Sequence, residues 1–281
     1  MKVLVTGSSG FIGKHTVNGL KARNYKVKTF DLTANEDVRN QDAVNRAVKG
    51  VDAVIHFGAI AEVPYSFEHP AEVAEVNITG TINLLESCRK YDVKKFVLAS
   101  SSSVYGEPEE LPVKEDHPLK PVTPYGLTKL VDEQYVNLYS DLYGIKAACM
   151  RYFNVYGIWQ SRGLVAESLK AVNNSKPMVI FGDGKQTRDF VNVADVVQAN
   201  LLALDVNANG AFNIGVGVET SVREVIRILQ ELTGSNSIRY KPRRVGDIRR
   251  IYADISRAKR VLKYRPKVSL RDGLAEVVKS R

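Results

Sequence analysis

Between the apolar run Lys2-Val3-Leu4-Val5-Thr6 and the helical pattern that opens at Phe11 stands Gly7-Ser8-Ser9-Gly10-Phe11-Ile12-Gly13. Glycines at this spacing let the chain turn tightly and bring backbone amides against a pyrophosphate. The positive end of the following helix attracts the same group. A strand, such a turn and a helix in this order mark the first unit of a nucleotide-binding parallel sheet. Gly7, Gly10, Phe11, Ile12 and Gly13 are therefore the expected phosphate cradle.

The rest of the first half keeps the alternation. Strand patterns fall at 26–31, 52–57, 95–100 and 145–152. Helical patterns fall at 11–23, 42–49, 71–90 and 124–143. In the first helix Phe11, Ile12, Val17 and Leu20 are the expected buried side. Alternating βαβ units predict an α/β protein with a doubly wound, Rossmann-type parallel sheet covered by helices on both faces. After Tyr152 the alternation loosens. Helices are expected at 163–173, 194–205 and 222–232, with short extended pieces at 178–181 and 188–191. This irregular part reads as a smaller α/β lobe over the strand C-termini, interleaved with the sheet along the chain. The expected division is 1–153 plus 187–215 for the dinucleotide domain, and 154–186 plus 216–281 for the lobe.

Two further features point to chemistry. Asp31 ends the second strand, 18 residues past Gly13. A carboxylate there accepts hydrogen bonds from an adenosine ribose and repels a 2′-phosphate, and Leu32-Thr33-Ala34-Asn35 offers no arginine to hold one. NAD is thus expected over NADP. Tyr125 and Lys129, four apart in a helical pattern, put a phenol and an ammonium on one face. The ammonium favours the phenolate and should bring the tyrosine below its usual value, near 10. Such a pair can take a proton from an alcohol. Ser100 to Ser103 lie upstream, and chemistry alone does not choose among them.

Composition narrows the partners. No apolar run approaches the roughly 20 residues of a membrane span. Met1 leads straight into a strand, without room for a signal peptide. Cys88 and Cys149 fit no metal spacing and read as reduced, buried thiols, so a cytoplasmic setting is expected and no metal. Net charge is +9, and residues 239–281 carry 15 basic against 4 acidic side chains. Aromatics are not interleaved there as stacking platforms, so nucleic acid is not the expected partner. A few of those arginines suit a small pyrophosphate instead.

Taken together, these residues resemble the extended short-chain dehydrogenase/reductase superfamily, and within it the NAD-dependent nucleotide-sugar 4-epimerases. The resemblance runs through Thr6-Gly7-x-x-Gly10-Phe11-Ile12-Gly13, Asn77-Ile78-Thr79-Gly80-Thr81, Ser100 to Gly106 and Tyr125-x-x-x-Lys129. It continues through Arg151 to Gly157, Gly182 to Phe190, Arg244-Val245-Gly246-Asp247 and Ala253-Asp254.

The resemblance implies that Tyr125 is the catalytic base, that Lys129 holds the nicotinamide ribose, and that Ser101 is the catalytic serine. It implies that Asp37 and Val38 edge the adenine, that Phe57, Gly58 and Ala59 pass beneath the cofactor, and that Asn77, Tyr152 and Phe153 lie nearby. Asn154, Arg188, Arg244 and Asp247 match positions that hold the nucleoside diphosphate of a substrate. Ile251 matches a position that gates N-acetyl groups.

Ser101-Ser102-Ser103-Val104-Tyr105-Gly106 lacks the acid and base of the related dehydratases and decarboxylases, which leaves redox-neutral epimerisation of a UDP-sugar, UDP-glucose and UDP-galactose first. A homodimer through helices 71–90 and 124–143 is also implied. Two segments depart from the pattern: the run between Asp31 and Asp37 and the loop 157–163 are both short. The rival readings are an epimerase or reductase for another nucleotide sugar, and a non-catalytic NAD-binding sensor.

Overall fold

Val3, Leu4 and Val5 have no solvent exposure, as a strand covered on both faces requires. They form the middle of β1 (Lys2–Thr6), followed by α1 (Phe11–Ala22) and β2 (Lys26–Phe30). The computed structural model describes residues 1–206 and 208–280. The chain continues through α2 (Gln41–Val48), β3 (Ala53–His56), α3 (Val63–Glu68), α4 (Pro70–Ala74) and α5 (Gly80–Lys90). Next come β4 (Lys95–Ser101), α6 (Pro124–Tyr143), β5 (Lys146–Tyr152), β6 (Asn154–Tyr156) and α7 (Leu164–Asn173). The remainder holds β7 (Met178–Phe181), β8 (Thr187–Arg188), β9 (Phe190–Asn192), α8 (Val193–Asp205), β10 (Gly210–Ile214) and β11 (Thr220–Ser221). It ends with α9 (Val222–Thr233), β12 (Ile238–Lys241), α10 (Ser256–Val261) and α11 (Leu270–Lys279).

Six strands form one parallel sheet in the order β2-β1-β3-β4-β5-β10. The order reverses between β1 and β3, which opens a crevice at their C-terminal ends. One face packs α1 and α8 around Val17, Leu20, Val196 and Leu204; the other packs α2, α5 and α6 around Val44, Leu84, Leu85 and Val136. A third core, with Val165, Leu169, Met178, Ile226, Leu229 and Leu274, belongs to the smaller lobe. Ile251, Ala253, Ile255 and Tyr264 return to the sheet's first core, although they lie within the 216–281 segment expected in the lobe.

Several elements differ from the sequence reading. The single helix expected over 71–90 is interrupted by a π turn at Glu75–Thr79, which places Asn77 fully inside. The Asn77 amide closes on both backbone groups of Ile60, accepting from its N–H at 2.8 Å and donating to its carbonyl at 3.1 Å. An inserted residue in a helix is how such an inward turn is commonly made. Phe11 and Ile12 are half-buried at the first turn of α1, while Thr16 joins Val17 and Leu20 inside. The strand expected at 188–191 is divided between β8 and β9, because the Asp189 carboxylate turns inward to accept the N–H groups of Val216, Gly217 and Ala253. The sixth strand, β10, was not legible as a strand, since Gly210 opens it and only Phe212 and Ile214 carry large apolar side chains. Helices α3, α10 and α11 and strand β12 were also missed.

Candidate active site

Gly7 takes φ +62°, and a Cβ there would lie 2.7 Å from the backbone of Phe57 and Gly58. Gly13 is tighter: its Cβ would fall 2.1 Å from the Gly7 carbonyl oxygen. These contacts press the turn between β1 and α1 down onto the end of β3, so that the backbone forms the floor of a cavity of about 410 Å³. Gly7, Gly10, Asp31, Asp37, Val38, Phe57, Gly58 and Ala59 all line it. Ser9 donates its N–H to Asp31 at 2.8 Å and Thr33 donates at 3.0 Å, which fixes the carboxylate at the cavity wall. Burial works against the Asp31 charge, yet these hydrogen bonds more than offset it and hold the group below the usual carboxylate range.

Arg39 also reaches this wall, but its guanidinium is tied to Asp37, with Nη2 2.6 Å from Oδ2. Val38 packs over Gly58 and Gly80. A shaped cradle that only glycine fits, an anchored carboxylate and an apolar edge suit an adenosine diphosphate with a free 2′-hydroxyl. Among the described residues there is no group of His, Cys, Asp or Glu able to hold a metal.

Beyond the cavity, α6 begins with Thr123 accepting the Gly126 N–H at 3.0 Å, and Pro124 occupies the first turn. This cap sets Tyr125 and Lys129 on the helix side that faces the ends of β4 and β5. Both are buried, at 8% and 2% exposure. The Ser101 hydroxyl faces the Tyr125 phenol and favours its ionised form. The four serines are thereby separated: Ser100 donates to Glu133 Oε1 at 2.5 Å, and Ser101 Oγ lies 3.0 Å from Ser103 Oγ.

The expected fall in the Tyr125 pKa is not what the structure gives. Burial raises it, Lys129 and Ser101 pull it down, and the balance stays above the ordinary value. Burial also pulls Lys129 down, but Asp132 and Tyr125 outweigh this and leave it above its ordinary value. Asp132, three residues along α6, accepts from Lys129 Nζ at 3.1 Å. That spacing was visible in the sequence as an i, i+3 pair.

Other expected residues serve as supports. Asn77 is occupied by Ile60 and by Thr128, whose hydroxyl lies 3.0 Å from its amide nitrogen. The Tyr152 hydroxyl donates to Asn200 at 2.6 Å, while Phe153 is buried in the sheet's core.

On the lobe side a second cavity of about 280 Å³ is lined by Phe181, Gly182, Asp183, Gln186, Arg243, Asp247 and Arg249. Arg188, half-buried beside it, pairs closely with Asp247. The Arg244 guanidinium lies 3.7 Å from the Phe181 ring centre, which places a planar cation and an aromatic face together at the cavity edge. Asn154 is exposed at the start of β6. Ile251 is buried, with 1% exposure. Phe181, Arg243 and Arg249 were not singled out from the sequence; their proximity arises from the parallel pairing of β7 with β12.

The model of the NAD dependent epimerase/dehydratase family matches residues 3–215. A putative UDP-glucose 4-epimerase from Methanocaldococcus jannaschii is 44% identical over 98% of this chain and 97% of its own length. The crystal structure of UDP-glucose 4-epimerase with UDP-glucose from Thermotoga maritima superposes with a TM-score of 0.95 at 36% identity, covering 100% of this chain and 98% of that one. UDP-glucuronic acid 4-epimerase from Bacillus cereus, in complex with UDP-glucuronic acid and NAD, gives 0.93 at 33% identity, with the same two coverages. With its glycine cradle and its tyrosine–lysine pair at the end of a parallel sheet, the chain belongs to the NAD dependent epimerase/dehydratase family.

Proposed function

We propose that this protein is a UDP-sugar 4-epimerase acting first on UDP-glucose and UDP-galactose. The observation that carries the reading is the meeting of the Tyr125 phenol with Ser101 and Lys129 beside a cleft built for a dinucleotide. Bound NAD would supply the hydride acceptor and donor for the sugar C4.

The protein's own residues do the rest. Gly7, Gly10 and Gly13 would hold the dinucleotide pyrophosphate, and Asp31 would hold the adenosine ribose. Tyr125 removes the 4-hydroxyl proton, Ser101 steadies the same oxygen, and Lys129 supports the phenolate. Arg188, Arg244, Asp247 and Asn154 hold the UDP while the 4-keto sugar presents its other face. Anchoring the nucleotide keeps the reacting carbon near Tyr125 through both halves of the reaction.

The same reading places the protein in the cytoplasm, in galactose metabolism, as a homodimer. Leu127, Leu138 and Leu142 form an exposed stripe on α6, at 53%, 49% and 62% exposure, which a second copy would cover. No helix among the described residues is long and apolar enough to cross a membrane.

The experiment is a panel of UDP-glucose, UDP-galactose, UDP-glucuronate, UDP-N-acetylglucosamine and a dTDP-4-keto sugar, with 4-epimers separated by chromatography. Interconversion of UDP-glucose and UDP-galactose without net NADH supports the proposal. Turnover confined to another sugar, or stoichiometric NADH consumption, moves it to a different epimerase or to a reductase.

A further inference from the structure

Lys129 and Asp132 form an ion pair that is almost wholly withdrawn from water, at 3% and 0% side-chain exposure. Asp132 Oδ2 accepts the ammonium; Asp132 Oδ1 has no hydrogen-bond partner. Thr81 also faces this carboxylate and favours its charge, although its hydroxyl donates to the Asn77 carbonyl at 2.8 Å. Behind Thr81 runs a chain to the cofactor floor. His56 Nε2 lies 3.2 Å from Thr81 Oγ1, and His56 Nδ1 lies 2.7 Å from Thr6 Oγ1. Thr6 Oγ1 in turn accepts the Gly58 N–H at 3.2 Å.

With its one proton drawn to Asn77, Thr81 leaves the Asp132 carboxylate only partly supported. A buried carboxylate with a bare oxygen is a poor device for stability, since apolar packing of similar volume does as well or better. Its placement makes sense through Lys129. We propose that Asp132 is a positioning residue for the reaction, aiming the Lys129 ammonium and partly cancelling its charge at Tyr125. This rests on the reading of Tyr125 as the base.

The surroundings leave few other groups to exert that control. From β3, His56 is neutral, held down at about 3 by burial and by Lys129. From β5, Tyr152 and Cys149 are both pushed up by burial and stay protonated. From β4, Ser101 is uncharged. On α6, Glu133 is locked into its own pair with Arg151. Lys129 and Asp132 are thus the opposed charges that act on Tyr125, the first lowering its pKa and the second raising it. Burial pushes Asp132 up to about 6, so the cancellation is present above that pH and fades below it.

The test is Asp132→Asn, read in NAD-loaded protein isotope-labelled at tyrosine Cζ, with Tyr125→Phe to assign the signal. The proposal expects the Tyr125 titration to move to lower pH, by about tenfold in its ionisation constant. The acid limb of kcat/KM should move in the same direction. An unchanged or upward midpoint overturns the proposal.

Where Asp132→Asn folds poorly, Lys129→Met is compared with Lys129→Met/Asp132→Asn. The double variant should titrate at lower pH than the single one, and equal midpoints overturn the proposal. The titration needs no turnover, so it stands apart from the epimerase reading: a shifted midpoint in a protein that epimerises nothing would sink that reading alone.

Discussion

Glu133 and Arg151 meet side-on between α6 and β5, with Arg151 Nε 2.9 Å from Glu133 Oε1 and Nη2 2.7 Å from Oε2. Both are buried. Ser100 donates to the same carboxylate, and Arg151 Nη1 reaches the Tyr105 hydroxyl at 2.8 Å and the Glu115 carbonyl at 2.9 Å. Glu133 therefore ties the helix that carries Tyr125 to β5 and, through Ser100, to the end of β4 that carries Ser101.

Removing one partner leaves a buried charge uncompensated. Arg151→Met should lower stability by about 4 kcal/mol. Glu133→Met/Arg151→Met, which removes both charges, should cost less than the single variant, as urea denaturation will show. Equal losses would mean that the charges do not act as a pair.

The floor of the cofactor cleft makes a sharper demand. Gly13→Ala puts a methyl group 2.1 Å from the Gly7 carbonyl, so the turn must open. Calorimetric titration should show NAD affinity weakened by about tenfold or more. Wild-type affinity would place the pyrophosphate elsewhere.

Asp31, anchored at the cavity wall, is the residue we propose to set the choice between dinucleotides. Asp31→Ala removes the acceptor fixed by Ser9 and Thr33. NAD binding should weaken by about tenfold, with NADP losing less or gaining, because repulsion of a 2′-phosphate goes with the carboxylate. An unchanged NAD-to-NADP ratio contradicts this role.

Asp189 gives a pH signature. Burial raises its pKa from 3.8 to about 6, against the backbone N–H groups of Val216, Gly217, Ala253 and Val218, which lower it. A carboxyl raised on folding contributes stability that is complete below about 4 and lost as pH climbs through 6. Asp189→Asn abolishes that titration but turns an amide against the Val216, Gly217 and Ala253 donors. It should cost about 3 kcal/mol near pH 5. The wild-type advantage should narrow between pH 4 and 6 and level off above. A gap that widens with pH would contradict the assignment.

The sequence made the sheet and the tyrosine–lysine pair readable because both rest on short-range patterns. Apolar runs such as Val3-Leu4-Val5 mark buried strands, and the Tyr125–Lys129 interval is a helical spacing whose bounds, 124–143, are those observed for α6. What stayed hidden depends on distant partners. The inward π turn at Asn77 is fixed by Ile60, and the split around Asp189 by amides more than 25 residues away. The tyrosine's ionisation could not be judged from Lys129 alone, because burial and Asp132 both oppose it.

In the proposed reaction, hydrogen leaves the sugar C4 and returns to it without meeting water. UDP-glucose carrying deuterium at C4, turned over in ordinary water, measures this directly by mass spectrometry of the UDP-galactose formed. Retention of the label at C4, together with loss of most turnover in Tyr125→Phe, is the predicted result. Release of the deuterium into solvent would rule out this hydride route.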